Sequence, residues 1–296
     1  MTEKLYGSIE AGGTKFVCAV GNSPQNIVDE IRFPTTSPVE TIQQVCDFFT
    51  PYLQQLHGIG LGSFGPADVD PASPSFGYIT TTPKPHWGNT NILGMLREKI
   101  NLPIAMDMDV VIAGLGESNW GASRGLHHSL YLTIGTGIGG GYIVDGKPLR
   151  GLTSLEMGHI RIPHNFDLDP FRGACPYHDD CFEGLASGPA INARFGQRAE
   201  TLADEHPFWD VEAGYIANAL VNYILTLTPE MIIIGGGVMQ KDFMFEKVRD
   251  RVWALLNSYL SHDLLLNRID SYIVPPALGN RSGLLGGIAL AMQMNC

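Results

Sequence analysis

Alternating apolar and polar positions open the chain and predict a meander of three short strands at residues 5–10, 16–20 and 27–33. Helical spacing follows, and single buried strands then alternate with helices. The elements predicted for this stretch are a helix at 38–56, a strand at 58–63, a helix at 91–100, a strand at 103–108 and a helix that begins at Asp109. The first part of the chain therefore has the order βββαβαβα.

The same order of elements returns in the second part of the chain. Its predicted strands lie at 130–135, 140–144, 147–150, 231–234 and 272–274, and its predicted helices lie at 186–195, 211–227 and 242–260 and begin again at Ser282. A repeated unit of this kind predicts an α/β protein with two domains. We place one domain at residues 1–117 together with the C-terminal helix 282–296, and the other at residues 118–281.

Composition narrows the class of protein. The 296 residues are 44% hydrophobic, enough to bury a large core, and the formal net charge of -11 repels nucleic acid and anionic membranes. The N-terminus lacks a secretory pattern and no apolar stretch is long enough to cross a bilayer, so we expect a cytoplasmic protein. The five cysteines are an odd number and unevenly spread, which argues against a disulfide framework.

Each predicted meander has a glycine-rich turn between its first two strands, at Gly12-Gly13 and at residues 135–139. Glycines let successive backbone N–H groups converge on anionic oxygens, so the paired turns predict a polyphosphate site between the domains. The second turn also matches the dinucleotide pattern G-x-G-x-x-G, but a strand follows it where that motif requires a helix. A third glycine cluster, at residues 235–237, lies between a strand and a helix, and we assign it to adenosine.

Three residues of a short loop are spaced like the ligands of a metal ion. Cys175, His178 and Cys181 place two sulfurs and an imidazole within seven residues, a donor set that suits tetrahedral zinc. A closed structural site needs a fourth ligand, for which His159 and His164 are the candidates. The sequence therefore predicts a structural zinc held by the loop 159–181.

Asp109 is a candidate catalytic residue because it ends a predicted strand and begins a helix. A carboxylate there can accept the proton of an alcohol that attacks a phosphoryl group. The same residue type is also a favoured helix cap, so the residues alone leave both interpretations open. Asp107 is the alternative carboxylate.

Motifs spread over nearly the whole chain resemble those of the bacterial ROK family of sugar kinases, and most closely its fructokinase branch. The segments that carry this resemblance are residues 9–15, 62–66, 82–84, Asp109 with 115–117, 133–139, 156–159, 175–178, 181–189 and 234–239.

The resemblance implies an actin-like (ribonuclease H-like) fold with two domains around a nucleotide and sugar cleft. It further implies ATP and Mg²⁺ as cofactors and a hexose as the phosphoryl acceptor, with fructose as the first candidate. Members of the family are commonly homodimers, so we expect a homodimer here. The ATP contacts that it implies are Gly12, Gly13, Thr14, Lys15, Thr136, Gly137, Pro189, Gly235, Gly236, Gly237, Val238 and Met239. The sugar contacts that it implies are Gly65, Pro66, Glu156, His159 and Glu183. It also favours Asp109 as general base, His159 as the fourth zinc ligand and Glu10 as a ligand of Mg²⁺ through water.

The chain departs from the family pattern beside Asp109. Val111 stands where the family usually has Asn, and Met108 stands where it often has a polar residue. Alternative functions are therefore a kinase for mannose, glucose or an aminosugar, or a sugar sensor without catalysis.

Overall fold

The computed structural model describes residues 4–82 and 84–294, and the chain folds there into two compact units. The first unit is formed by Met1–Gly125, Gly146–Leu155 and Ala277–Cys296, and the second by Leu126–Asp145 and Glu156–Pro276. Pro83 and Cys296, which fall in the motif 82–84 and in the predicted C-terminal helix, lie outside the described residues. The domain limits proposed from the sequence stay a prediction.

The elements follow one another along the chain as strands β1–β12 and helices α1–α10. The strands are β1 (Leu5–Ala11), β2 (Lys15–Ser23), β3 (Asn26–Pro34), β4 (Leu56–Ser63), β5 (Tyr78–Ile79), β6 (Thr90–Asn91), β7 (Ile104–Met108), β8 (His128–Ile134), β9 (Ile138–Val144), β10 (Lys147–Pro148), β11 (Met231–Gly235) and β12 (Ile273–Val274). The helices are α1 (Pro38–Phe49), α2 (Ile92–Arg97), α3 (Asp109–Trp120), α4 (Phe182–Ala186), α5 (Gly188–Phe195), α6 (Phe208–Leu227), α7 (Phe243–Leu256), α8 (Asp263–Leu266), α9 (Ile269–Tyr272) and α10 (Ser282–Gln293).

The first unit is built on a five-stranded sheet in the order β3-β2-β1-β4-β7. The meander β1-β2-β3 is antiparallel, whereas β4 and β7 run parallel to β1. The second unit repeats this arrangement. Strand β8 pairs antiparallel with β9 and parallel with β11, and β11 in turn pairs parallel with β12. The predicted duplication of a meander followed by parallel strands is confirmed.

Helix α10 packs against α3, β1 and β4 and completes the first unit. Glycines allow this close approach: an added Cβ at Gly286 would collide with the carbonyl of Ile112, and one at Gly60 with the carbonyl of Gly287. The buried carboxylate of Glu117 secures the N-terminal end of α10 by accepting hydrogen bonds from Ser282 Oγ (2.7 Å) and the Leu278 N–H (3.0 Å). These contacts fix α3, and with it Asp109.

Several predicted element limits are wrong, and backbone chemistry explains them. Helix α1 ends at Phe49 rather than at residue 56, because Pro51 cannot donate a backbone hydrogen bond and a 3₁₀ turn follows. Pro148 likewise limits β10 to two residues. The predicted helix 186–195 divides at Ser187, whose extended backbone separates α4 from α5.

Two further limits are set by local conformation in the second unit. Helix α7 ends at Leu256 because Asn257 adopts a left-handed conformation, and Tyr272 closes α9 instead of opening a strand. The two-residue strands β5 and β6 lacked a sequence signal. Among the helices within residues 4–82 and 84–294, none combines the length and apolar character needed to cross a bilayer.

Candidate active site and metal cluster

Asp109 is the first residue of α3 and directly follows strand β7. Gly62 of the neighbouring strand β4 is close by, since an added Cβ there would lie 3.2 Å from Asp109 Cα. The Asp109 carboxylate accepts a hydrogen bond from the Val110 N–H at 2.8 Å, and among the described residues it has no ion-pair partner. Asp109 is therefore a half-buried carboxylate, and neither of its oxygens pairs with a cation of the described residues.

The surroundings of Asp109 make it a stronger base than an ordinary aspartate. Burial raises the pKa of its carboxyl group to about 7, and the nearby Glu10 carboxylate adds to this, while the Val110 N–H works in the opposite direction. A pKa near the working pH is what a general base requires.

Asp107, the alternative carboxylate, is engaged elsewhere. It is buried, its Oδ2 accepts a hydrogen bond from Arg150 Nη2 at 2.6 Å, and its Oδ1 accepts one from the Met108 N–H. Burial raises the pKa of Asp107, and Arg150 opposes the rise. The ion pair makes Asp107 a structural anchor. Arg150 has no signal in the sequence, because only the fold brings residues 107 and 150 together.

The two departures from the family pattern lie close to Asp109 in the sequence, Met108 at the end of β7 and Val111 in the first turn of α3. Met108 packs its thioether against Gly65, where an added Cβ would collide with the methyl group of Met108. Val111 is buried. Both side chains are apolar where the resemblance to the family leads us to expect polar ones, so neither can donate a hydrogen bond to the carboxylate. Gly65 and Pro66 follow the end of β4 in the same unit as Asp109.

The first glycine turn is held by its own backbone. The Gly12 N–H donates to the Lys15 carbonyl at 3.0 Å, and the Gly12 carbonyl accepts from Thr35 Oγ1 at 2.7 Å. A Cβ at Gly12 would lie 2.8 Å from the Lys15 oxygen, so this tight turn needs glycine. The half-buried Gly13 and the exposed Thr14 and Lys15 complete the turn.

Glu10 is the penultimate residue of β1, the strand that leads into this turn, and it lies over the start of α10. A Cβ at Gly283 would lie 2.7 Å from its Cδ, and the Leu284 N–H also hydrogen-bonds the carboxylate. Burial raises the pKa of Glu10, while Lys15 and Arg32 oppose the rise. A carboxylate oxygen is a suitable partner for a water of hydrated Mg²⁺.

The second glycine turn and the third glycine cluster converge within the second unit. The Gly188 N–H, next to Pro189, donates to the Gly135 carbonyl at 2.8 Å, and a Cβ at Gly135 would lie 3.7 Å from Gly237 N. Gly236 has φ +96°, which a side chain would strain, and it packs against the backbone of Ile134. The eight residues expected to bind ATP from this unit belong to the segments that form or follow this contact: Thr136, Gly137, Pro189, Gly235, Gly236, Gly237, Val238 and Met239.

Glu183, expected at the sugar, supports the glycine turn. Its Oε2 accepts a hydrogen bond from the Ile138 N–H at 2.8 Å, and a Cβ at Gly137 would lie 2.8 Å from the same oxygen. Glu156 lies near Glu183 and His159, because both residues interact electrostatically with its carboxyl group. Its side chain reaches solvent, yet desolvation by the surrounding loop raises its pKa, with Glu183 adding to the rise and His159 opposing it.

Four side chains of the loop 159–181 converge on one point. One donor atom each from His159, Cys175, His178 and Cys181 lies within 4.8 Å of the others. His159 Nδ1 is 3.7 Å from Cys175 Sγ and 3.6 Å from Cys181 Sγ, and Cys175 Sγ is 3.7 Å from His178 Nδ1. Tetrahedral zinc holds a sulfur and a nitrogen ligand roughly 3.5 Å apart, so this donor set fits zinc in both chemistry and spacing.

His164, the other candidate for the fourth ligand position, is engaged elsewhere. Its Nδ1 lies 3.3 Å from Asp180 Oδ2, and its Nε2 lies 3.0 Å from the carbonyl of Asp169. Both ring nitrogens therefore have other partners, and the cluster contains His159.

Comparison with known proteins agrees with this architecture. The family model described as ROK family matches residues 6–294. A fructokinase of Pediococcus pentosaceus is 45% identical over 97% of this chain and 97% of its own length. Among solved structures, a ROK hexokinase from Thermus thermophilus has a TM-score of 0.80 at 23% identity, covering 98% of this chain and 99% of that one. A ROK family glucokinase from Streptomyces griseus, in complex with glucose and AMPPNP, has a TM-score of 0.76 at 22% identity, covering 98% and 99%.

The fold and its repeated units define a protein of the actin-like class, as the sequence predicted. The chain belongs to the ROK family, and this prediction is confirmed as well.

Proposed function

We propose that the protein is an ATP-dependent hexose kinase that converts fructose to fructose 6-phosphate. The observation that carries the proposal is the Asp109 carboxylate, which is half-buried at the start of α3, forms no ion pair with any residue that the structure describes, and has a pKa raised to about 7. The names of the full-length relatives, fructokinases at more than 40% identity, support fructose as the acceptor.

In the proposed reaction, the 6-hydroxyl oxygen of the sugar forms a bond to the γ-phosphorus of ATP, and the bond from that phosphorus to the bridging β–γ oxygen breaks. The hydroxyl proton passes to Asp109, and ADP leaves with the electron pair of the broken bond. Raising the pKa of Asp109 favours acceptance of that proton while leaving the ionised form populated near pH 7.

ATP would bind the glycine turns through backbone N–H groups, and Lys15 would add a positive charge near the phosphates. When bound, Mg²⁺ would neutralise charge on the phosphates, with Glu10 holding one of its waters. Within the second unit, the convergence of Gly135, Gly188 and Gly237 supports an adenosine site formed by residues 235–239.

Sugar binding would involve Glu156, His159 and Glu183 in the second unit and Gly65 and Pro66 in the first. Carboxylates accept hydrogen bonds from adjacent sugar hydroxyls, and imidazole can donate or accept. Because Glu183 Oε2 already accepts from Ile138, its other oxygen is the one offered to the sugar.

We further propose that His159, Cys175, His178 and Cys181 hold a structural zinc. The fit of the four donors to tetrahedral spacing supports this assignment. Such a metal would order the loop 159–181 without taking part in phosphoryl transfer. A cytoplasmic homodimer is the form we propose for the active protein, and sedimentation of the purified chain should give twice the 32.2 kDa of one subunit.

A coupled ADP-release assay over fructose, glucose, mannose and N-acetylmannosamine tests the proposal. We expect the highest kcat/KM with fructose. A higher value with another hexose would instead identify the acceptor as that sugar. Sugar binding without ADP release from any hexose would favour the sensor, for which the apolar Met108 and Val111 beside Asp109 are the supporting observation.

A further inference from the structure

Strand β3 forms one edge of the sheet in the first unit. Among the described residues it pairs only with β2, so its other side carries backbone groups that have no strand partner. Residues 28–32 are all exposed, and two of them are apolar, Val28 at 51% and Ile31 at 40% exposure. A long exposed edge of this kind is able to accept a further strand.

The register with β2 decides which backbone groups of β3 point outward. The Thr35 N–H donates to the opposed Thr14 carbonyl at 2.9 Å, so this pair is hydrogen-bonded. Hydrogen-bonded and non-hydrogen-bonded pairs alternate along antiparallel strands, and Ile31, four residues before Thr35, belongs to a hydrogen-bonded pair as well. The backbone groups of Ile31 therefore point to β2, whereas those of its neighbours Glu30 and Arg32 point to the open edge.

Glu30 and Arg32 carry opposite charges, and neither forms an ion pair within residues 4–82 and 84–294. The outward carbonyl groups of both residues and the outward Arg32 N–H bond to no other element of the described chain. The Glu30 N–H donates to Asp29 Oδ1 at 2.8 Å. This contact is exposed to solvent, so the carbonyl of another strand can replace it with little loss.

We propose that β3 pairs antiparallel with β3 of a second copy of this chain, with Ile31 of one subunit opposite Ile31 of the other. A two-fold axis through this pair makes the contact self-complementary and places Glu30 opposite Arg32 twice. Each of these opposed pairs exchanges two backbone hydrogen bonds, and its carboxylate meets a guanidinium across the strands. The inference rests on the homodimer proposed above and gives that homodimer an interface.

The same two charges disfavour the neighbouring registers. Charged residues on an edge strand ordinarily discourage pairing with another strand. A contact centred on Glu30 or on Arg32 would place like charges directly opposite each other, which destabilises a sheet. Of these three centres, Ile31 alone brings opposite charges together, so the alternation of sign selects it.

Sedimentation velocity of charge variants, over a range of protein concentrations, tests the interface. The wild type should be a dimer, and Glu30→Arg and Arg32→Glu should each weaken the dimer roughly tenfold, because each reversal creates two like-charge pairs. Combining both reversals restores opposite charges and should restore the dimer. Asp70→Arg, at an exposed position outside β3, is the control and should remain dimeric.

The outcomes separate this interface from the homodimer itself. A dimer that survives both single reversals, or that the double reversal does not restore, would overturn the interface and leave the homodimer standing. A monomeric wild type would overturn both. Neither result bears on phosphoryl transfer, which ADP release reports separately.

A cross-link locates the centre of the contact. Under mild oxidation Ile31→Cys should form a disulfide between two subunits, because the Cα atoms of a non-hydrogen-bonded pair are about 4.5 Å apart. Val28→Cys is the matched control, since this exposed residue would lie opposite Pro34 and should not cross-link. Denaturing gels without reductant measure the yield. No cross-link from Ile31→Cys, or an equal yield from Val28→Cys, would refute the register.

Discussion

At the scale of single residues, Asp109 differs from the other carboxylates near it by what surrounds it. Asp107, two residues earlier, forms an ion pair with Arg150, and Glu117, eight residues later, accepts four hydrogen bonds. Asp109 accepts a hydrogen bond from the Val110 N–H and has no ion-pair partner among the described residues. The same residue type is therefore held in an ion pair at 107, whereas at 109 it is free to take the catalytic part that we propose.

Replacing Asp109 by Asn should lower kcat about 10²–10⁴-fold with fructose, because the amide cannot accept the hydroxyl proton. In the wild type, kcat/KM should fall as pH drops below an apparent pKa of about 7, where Asp109 becomes protonated. Steady-state kinetics over pH 5–9 measures both effects. The exposed Asp70→Asn serves as the control, and a wild-type rate in Asp109→Asn would remove this residue from the mechanism.

The same substitution should stabilise the fold at alkaline pH. The carboxyl group has a pKa of about 7 in the folded protein and near its usual value of 3.8 when unfolded. The folded state therefore holds the extra proton between these values, and the free energy of unfolding falls as pH rises through them. At pH 8, Asp109→Asn should unfold with a free energy roughly 1–3 kcal/mol higher than the wild type, a gain that disappears near pH 4. Urea denaturation at both pH values decides this, and an equal difference at each would contradict it.

At the scale of elements, most of the loop 159–181 is exposed or half-buried, and Ile162 is its one buried aliphatic residue. Leu168 and Tyr177 are exposed, and Cys175 and Cys181 are buried at the cluster. Because donor atoms bring this segment together, we expect its order to depend on the metal.

Removal of metal should lower the thermal stability of the second unit. Native protein is expected to contain about one zinc per chain by mass spectrometry, and chelation should lower the Tm by several degrees. Cys181→Ser should lose the zinc, whereas Cys46→Ser, at a buried cysteine outside the cluster, should keep it. A native zinc content below half an equivalent would argue strongly against the site.

The contact between α3 and α10 depends on glycines that no side chain can replace. Gly286→Ala would drive a methyl group into the Ile112 carbonyl and should lower the free energy of unfolding by about 1–3 kcal/mol. Gly151→Ala, at an exposed position where an added Cβ would meet only the Thr153 carbonyl oxygen at 4.0 Å, is the control. Denaturant unfolding measures the difference, and equal stability of the two variants would show that the helices separate to accommodate the methyl group.

At the scale of the whole molecule, the order of strands and helices could be predicted because alternation and helical spacing repeat in both halves. The cluster of cysteines and histidines could also be anticipated, since three of its four members lie within seven residues. Ion pairs between residues distant in sequence could not be predicted, because only the folded chain brings the partners together. Examples are Asp107 with Arg150 and Asp169 with Arg194. Element ends were missed where a proline or a left-handed residue decided them, as at Pro51 and Asn257.

The first unit is assembled from three separate stretches of chain, and α10 supplies the last of them. During synthesis on the ribosome, strands β1, β4 and helix α3 emerge long before the helix that covers them. The apolar surfaces that α10 covers stay exposed until residues 277–294 have left the exit tunnel. We expect chaperones that shield nascent chains to bind these exposed surfaces. Early termination of synthesis would release a first unit that lacks α10 and leaves the same surfaces uncovered.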